Sequence, residues 1–356
     1  MNFLVVSDRE YKETSRGIDI ITNFLSSKGN YVDHLVFFRR KLLPEKQISK
    51  NIRQLYFCDP IKFYRSKIQF LFPGFLLFIY FKFIIKKNTS LDFSKYNFLI
   101  IESGHPIYLG LNLDNKIIYR QSDPIEICFN SSRKLYKKME NKLIEKSQFV
   151  ISALDSKYYD LIYKNKFIFW HSGFIPFERK QYPKTEKLFV ILGGELDWFL
   201  INKIAKQYKN YHFNVIGIRG KIFIQKNINV CGYLDYESYK NLLLSAIAII
   251  IPFSNSYIKK LKQVDFTAKI YLSIYLGIPI LVKSYGSILR TDFEKKLFIF
   301  NDNNEARLII DDIIFNIESK LFNNNLSNST MDFLTPHLSS NCLKELESIF
   351  KPILLE

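Results

Sequence analysis

The sequence predicts an α/β protein made of two doubly wound, Rossmann-like domains. Three observations carry that prediction. Short apolar or β-branched runs alternate with longer periodic segments along most of the chain, the order expected of parallel strands joined by crossover helices. The alternation breaks once, between Trp170 and Lys187, in a stretch holding a glycine, two prolines and a cluster of charges, and then resumes. A length of 356 residues exceeds what one ordinary core organises and suits two domains of about 150 to 200 residues each.

In the first half, "FLVVS" (Phe3 to Ser7) and "FLII" (Phe98 to Ile101) read as buried strands. Strands are expected at 2–6, 31–37, 53–57, 97–101, 116–120 and 148–151, with helices at 18–28, 130–146 and 155–163. The second half repeats the scheme. "KLFVILGG" is a strand entering a glycine turn, "WFLINKIAKQY" a helix, and "HFNVIG" and "INVCG" strands. "ESYKNLLLSA" is a helix, "IAIIIP" a strand, and "TAKIYLSIYLGIPILV" (Thr267 to Val282) a helix and strand separated by Gly277 and Pro279. The expected division is a first domain over 1–170, a linker over 171–187, a second domain over 188–332 and a tail over 333–356. The tail turns helical from Leu338 to Phe350 and is expected to cross back onto the first domain. In such a pair of sheets a ligand binds at the carboxyl ends of the strands, in the cleft between the halves.

The net charge of +17 implies attraction to phosphate-bearing partners. It is concentrated: Arg39 to Lys87 holds twelve Lys or Arg against Glu45 and Asp59. Inside this stretch, "IQFLFPGFLLFIYFKFII" (Ile68 to Ile85) approaches the length and apolarity of a membrane span. Pro73, Gly74 and Lys82 interrupt it, and the flanking strands belong to one sheet that a spanning helix would pull apart. An interfacial segment on an anionic membrane surface is the expectation, with Phe75, Leu76, Phe78, Phe81, Lys82, Lys86 and Lys87 in contact. The alternative is a pair of buried helices covering the sheet. Charge gathered beside one apolar stretch, and not along a groove interleaved with aromatics, disfavours nucleic acid.

Several chemistries lack their signatures. No signal peptide is visible. Four cysteines (58, 128, 231, 342) show no CxxC, and five histidines show no HxxxH pair, so neither a metal site nor a disulfide scaffold is expected. The loop after the first strand, "SDREYKETSRG", has no GxGxxG, although Arg16-Gly17 stands just ahead of a helix; no GxxxxGK[ST] and no Asp-x-Asp occurs either. Dinucleotide binding and P-loop chemistry are thereby disfavoured.

Lys269 is the unusual residue. It stands in the first turn of the predicted helix after Thr267 and Ala268, with no acid on the following turn. A cation at the positive end of a helix dipole costs a few tenths to about 1 kcal/mol. An anion reconciles the two: ammonium and free backbone N–H groups can converge on a diphosphate without a metal. The bland alternative is a lysine snorkelling from a buried helix. Gly193-Gly194-Glu195 follows a strand where a glycine turn admits a close ligand, and Gly217 with Arg219 follows the next strand in the same way. Leu234 and Asp235, after "INVCG", and Ser254, after "IAIIIP", complete the candidate ligand-binding set.

The order "LGGELDW…FNVIG…INVCGYLDYESYKNLL…AIIIP…TAKIYLSIYLGIPILV" resembles the nucleotide-sugar half of a GT-B glycosyltransferase, and the whole chain resembles the xanthan-type glucuronosyltransferases of glycosyltransferase family 70. The resemblance implies two Rossmann-like domains facing each other across a cleft. It also implies inverting, metal-independent transfer of glucuronate from UDP-glucuronate to a lipid-diphosphate-linked oligosaccharide, at the inner face of the membrane. It implies no cofactor beyond the donor substrate, and it puts the diphosphate-binding lysine on Lys269. Inversion needs a carboxylate to take a proton from the acceptor hydroxyl. Asp123, in "YRQSDPIEI" after a first-domain strand, resembles the family's proposed base, and Ser122-Asp123-Pro124 is equally a good turn sequence. Glu102 is a second candidate base. Arg16, Asp155 and Asp197 are supporting candidates; the two aspartates also precede predicted helices as caps. Two other functions fit parts of the sequence. One is a UDP-sugar epimerase of GT-B-like fold, drawing on Glu102, His105 and His171; the other is a non-catalytic basic binding module.

Overall fold

The computed structural model describes residues 1–7, 9–12, 16–39, 43–58, 74–87, 91–104, 107–108, 116–123, 125–128, 134–154, 161–171, 173–174, 176, 187–217, 225–259, 261, 268–285, 297–319 and 328–355. The chain forms two compact units, Met1–Ser172 with Ser340–Glu356, and Gly173–Ser339.

The first unit runs β1 (Asn2–Ser7), α1 (Gly17–Ser27), β2 (Tyr31–Arg39), β3 (Lys46–Ser49), β4 (Ile52–Cys58), α2 (Gly74–Lys87), β5 (Phe98–Glu102), β6 (Ile117–Gln121), α3 (Ile125–Cys128), α4 (Lys134–Lys146), β7 (Ser147–Ser152) and β8 (Phe167–Phe169). Its eight-stranded sheet has the order β3-β4-β2-β1-β5-β6-β7-β8, parallel throughout except for the antiparallel β3–β4 pair. Strand order reverses between β1 and β5, whose register pairs Val6 with Ile101. Both faces are covered, which is why β1 and β5 read as unbroken apolar runs. Leu4, Val6, Leu99, Ile101 and Tyr119 pack one face with Phe81 and Ile84 of α2 and Leu143 and Ile144 of α4. Phe3, Val5, Ile100, Ile118 and Ile151 pack the other with α1 and the C-terminal helix.

The second unit runs β9 (Leu188–Leu192), α5 (Trp198–Gln207), β10 (His212–Ile216), β11 (Ile228–Gly232), α6 (Tyr236–Ser245), β12 (Ala248–Ile251), α7 (Asn255–Ile258), α8 (Ala268–Tyr275), β13 (Ile280–Lys283), β14 (Leu297–Phe300), α9 (Asn303–Glu318) and α10 (Asn328–Leu334). Its parallel sheet, β11-β10-β9-β12-β13-β14, is doubly wound with the reversal between β9 and β12. Phe189, Phe213, Ile228 and Ile250 bury one face against α5 and α9. The last helix, α11 (Ser339–Leu354), returns to the first unit. It buries Cys342, Leu346, Phe350 and Ile353, one helical stripe. Trp170 Nε1 donates to the Cys342 carbonyl at 2.9 Å, and Lys28 pairs with Glu347.

Several expectations change. Phe81 is fully buried among the strands and does not contact a membrane; the face of α2 that looks outward carries Ile79, Lys82 and Phe83 instead. The reason is that α2 is apolar nearly all round, so composition alone does not tell its buried side. Leu76 is half-buried. The side chains of Phe75, Phe78, Lys86 and Lys87, and all of 59–73, lie outside the described residues. Among those described, no helix is long and apolar enough to cross a membrane. Most of the helix expected at 155–163 lies outside the described residues, which resume with a 3-10 turn over Leu161–Lys166. Strands β3, β8 and β14 and helices α9 and α10 add to the expected elements. Helix α9 is capped by Asp302, which accepts from the backbone N–H of Asn304 and Glu305 at 2.7 and 3.0 Å.

Candidate functional site

Open parallel sheets bind ligands outside the carboxyl ends of their strands, where strand order reverses. In the second unit that point lies between β9 and β12, and among the described residues the ends of β9, β10 and β12 lie around it. The loop after β9 is Gly193-Gly194-Glu195. A Cβ on Gly193 would run into the Leu196 side chain and lie 3.5 Å from the Phe253 ring, so its glycine is explained by packing. At Gly194 a Cβ would meet nothing within 4 Å among the described residues, and its backbone is not left-handed, so those residues make no demand for glycine there. Gly217, after β10, has φ +88° and lies beside the first loop, a Cβ there falling 3.7 Å from the Gly193 carbonyl. The loop after β12 is stitched to the loop after β9. Ser254 N donates to the Glu195 carbonyl at 3.0 Å, Asp197 N donates to the Pro252 carbonyl at 2.8 Å, and Leu196 bridges Phe253.

Lys269 is exposed on the first turn of α8, which descends from this edge to β13. Its carbonyl accepts from Ser273 Oγ at 2.6 Å. Ala268 begins the helix; Thr267, Arg219 and Asp155 lie outside the described residues. Three of the other candidates cap helices. Asp197 caps α5 through Leu200 N at 3.0 Å. Asp235 caps α6 through Ser238 N at 2.9 Å, which holds its carboxyl below the usual range. Ser254 caps α7 through Tyr257 N at 3.3 Å. Leu234 is half-buried beside Asp235. Sequence reasoning missed Lys283, the last residue of β13, whose Nζ donates to Asp197 Oδ2 at 2.7 Å and Asn255 Oδ1 at 2.8 Å. A single charge ending the buried run "IPILVK" was the available signal.

In the first unit the reversal lies between β1 and β5, and their last residues meet: Ser7 Oγ donates to Glu102 Oε2 at 2.5 Å. Arg16, just before α1, donates to both carboxylate oxygens of Asp19 at 2.8 and 2.7 Å and to Ser7 Oγ at 3.1 Å, and lies 3.7 Å from Glu102. Burial raises the Glu102 carboxyl, opposed by the Arg16 charge and the Ser7 hydrogen bond. The next strand places Arg120 in register with Glu102. Arg120 is buried, its guanidinium 4.9 Å from the Trp170 ring, and burial lowers it to about 10. Asp123, two residues past β6, is exposed, and Ser103 and Ser122 beside it approach at 2.9 Å between hydroxyls. The structure thus brings Arg16 and Glu102 together, with Asp123 one strand further along the edge. His105 lies outside the described residues; His171 packs edge-on to Phe169 at 4.6 Å.

Among the described residues no three His, Cys, Asp or Glu side chains gather to hold a metal. A cavity of about 700 Å³ opens at the opposite, amino-terminal end of β9–β11, lined by Lys187, His212, Asn214, Lys226 and Asn229. Strand amino ends are not where such sheets take their ligands.

No protein-family model and no curated protein sequence matches the chain. Solved structures do match. A sucrose-phosphate synthase from Thermosynechococcus elongatus has a TM-score of 0.69 at 11% identity, covering 99% of each chain. The Anabaena protein HepE, in complex with UDP and glucose, has 0.64 at 10% identity, covering 98% of this chain and 99% of its own. The fold is GT-B. A Listeria monocytogenes chain described as a UDP-N-acetylglucosamine 2-epimerase matches at 0.51 and 9% identity, covering 100% of this chain and 97% of its own. The GT-B frame is therefore common to transfer and to epimerisation, and the choice between them rests on the residues at the two strand edges.

Proposed function

We propose that the chain is an inverting, metal-independent glycosyltransferase of capsule or exopolysaccharide assembly. It moves a sugar, with glucuronate as the expected one, from a UDP-sugar to a lipid-diphosphate-linked oligosaccharide. The observation that carries this reading is Lys269 on the first turn of α8, at the reversal edge of a doubly wound sheet whose β9 loop holds a glycine that packing leaves unexplained. The solved HepE complex with UDP and glucose, on the same fold, supports the donor class. The order of motifs, similar to that of family 70, supports the sugar and the acceptor.

In the proposed reaction the acceptor oxygen attacks the anomeric carbon from the side opposite the diphosphate. Asp123 takes the hydroxyl proton as the new C–O bond forms. The bond from the anomeric carbon to the diphosphate oxygen breaks, and its electrons leave with UDP. The Lys269 ammonium and the backbone N–H groups at the start of α8 stabilise the departing charge in place of a divalent cation. No cofactor or metal is required.

In this reading the protein works at the inner face of the cytoplasmic membrane, held peripherally. Ile79 and Phe83 are 54% and 59% exposed, one turn apart on α2, with the exposed Lys82 between them. Such a face suits the acyl boundary of an anionic bilayer.

The test is thermal stabilisation by a panel of nucleotide sugars, followed by turnover with the stabilising donor. Stabilisation by UDP-sugars and release of UDP only with a lipid-linked acceptor are expected. Activity lost to EDTA and restored by manganese rejects the metal-free scheme. A UDP-sugar whose ring stereochemistry changes without any acceptor establishes the epimerase reading instead.

A further inference from the structure

The β9 loop poses an electrostatic problem for any anionic ligand. Within five residues, Gly193 to Asp197, it carries two carboxylates, Glu195 and Asp197, and no cation. Yet it sits at the reversal of strand order, where the ligand belongs. Lys283 answers it from a distance of 86 residues in the chain. Its side chain is 9% exposed and its ammonium is shared between Asp197 Oδ2 at 2.7 Å and Asn255 Oδ1 at 2.8 Å. The other Asp197 oxygen accepts from Leu200 N, so both oxygens of that carboxylate are engaged. Asn255 begins α7, and Ser254 before it holds the Glu195 carbonyl. One ammonium thus ties the loops after β9 and β12 to the end of β13 and cancels a charge on the loop the ligand approaches.

We infer that Lys283 is the positioning residue that makes the β9 loop tolerant of a diphosphate, and so sets preference for a nucleoside diphosphate over the nucleoside. This rests on the donor reading above and adds a residue and a selectivity to it. The role is electrostatic: with the ammonium gone, Asp197 presents an uncompensated carboxylate to the incoming anion. Lys269 meets the ligand, whereas Lys283 acts through Asp197.

The experiment compares UDP and uridine binding to the full chain, by calorimetry and ligand-observed NMR. Lys283→Gln is expected to weaken UDP by about tenfold, through repulsion from one uncompensated carboxylate, and to leave uridine within about twofold. Lys283→Arg should restore UDP binding. The pair Asp197→Asn with Lys283→Gln removes both charges and should bring UDP back to within about threefold of the parent. Unchanged UDP affinity in Lys283→Gln, equal losses for UDP and uridine, or no recovery in the double variant overturns the inference. Where Lys283→Gln does not fold, Asp197→Asn alone decides: it leaves the lysine uncompensated and must bind UDP at least as tightly as the parent, and weaker binding refutes the role. A parent protein that binds neither ligand overturns the donor reading itself, an outcome distinct from all of these.

Discussion

Gly194→Ala separates a glycine required by the fold from one required by a ligand. At Gly194 the added methyl meets no atom of the described residues within 4 Å, and the backbone is not in the left-handed region. Loss of unfolded-state freedom then stabilises the variant by about 0.4–1 kcal/mol. If a nucleotide approaches this backbone closely, the same methyl occupies its space and costs at least about tenfold in affinity, roughly 1.4 kcal/mol. The two signs oppose, which no general destabilisation can imitate. Gly217→Ala is the control. Its φ of +88° strains any side chain, so stability should fall by about 1–2 kcal/mol whatever binds. Chemical denaturation measures the first quantity and calorimetric titration with UDP the second. A Gly194→Ala protein that binds UDP like the parent refutes the argument that a ligand explains this glycine.

Lys269→Glu should lift apo stability by about 0.3–1 kcal/mol, since an acid suits the start of a helix, while abolishing UDP binding; a variant that keeps UDP affinity removes the diphosphate role. Asp123→Asn should stop transfer and leave UDP binding nearly intact, and unchanged turnover dismisses it as the base. His34 is held down to about 3 by burial, with the Arg16 charge next. The unfolded chain therefore takes up its proton near pH 6.5 and the folded chain does not. Stability present above pH 6.5 is lost as pH falls, by about 2 kcal/mol at pH 5. Glu102, raised by burial, acts with the opposite sign, being destabilising where the unfolded carboxyl ionises. Denaturation curves from pH 7 to 5 that stay flat, or a fall that survives in His34→Gln, reject the assignment. Ile79→Ser with Phe83→Ser should release the protein from anionic liposomes at little cost in stability. Phe81→Ala should cost about 3–5 kcal/mol, and co-sedimentation unaffected by the pair of serines argues against α2 as the contact.

The parallel strands were readable because each is buried on both faces. The strand portions of runs such as "FLVVS", "KLFVILGG" and "IAIIIP" are unbroken apolar stretches, and a glycine turn marks where several such strands end. Helix α2 was less readable for a related reason. With apolar residues on every side, it offers no periodicity from which to pick the buried face, and only the sheet beneath it separates Phe81 from Phe83. Lys269 could be placed on a first turn because the signals are local: the residues before it, the apolar period after it and Gly277 at the end. The Lys283–Asp197 pair joins β13 to the loop after β9 and becomes visible only once strand order is known. The same holds for Glu102, whose neighbours Ser7 and Arg16 come from the other end of its sheet's first crossover.

The two lysines at the second unit's strand edge are positioned by opposite logic. Lys283 is buried and its charge is cancelled by a carboxylate at 2.7 Å, so it adds structure without adding much field. Lys269 is exposed and sits at the positive end of a helix, where the backbone adds to its potential instead of opposing it. Exchanging the arrangements would leave two carboxylates facing the ligand and a cation hidden from it. The edge as built removes one negative charge from the loop and leaves a positive end at α8. Under the donor reading proposed above, this is the distribution of charge that an incoming diphosphate requires.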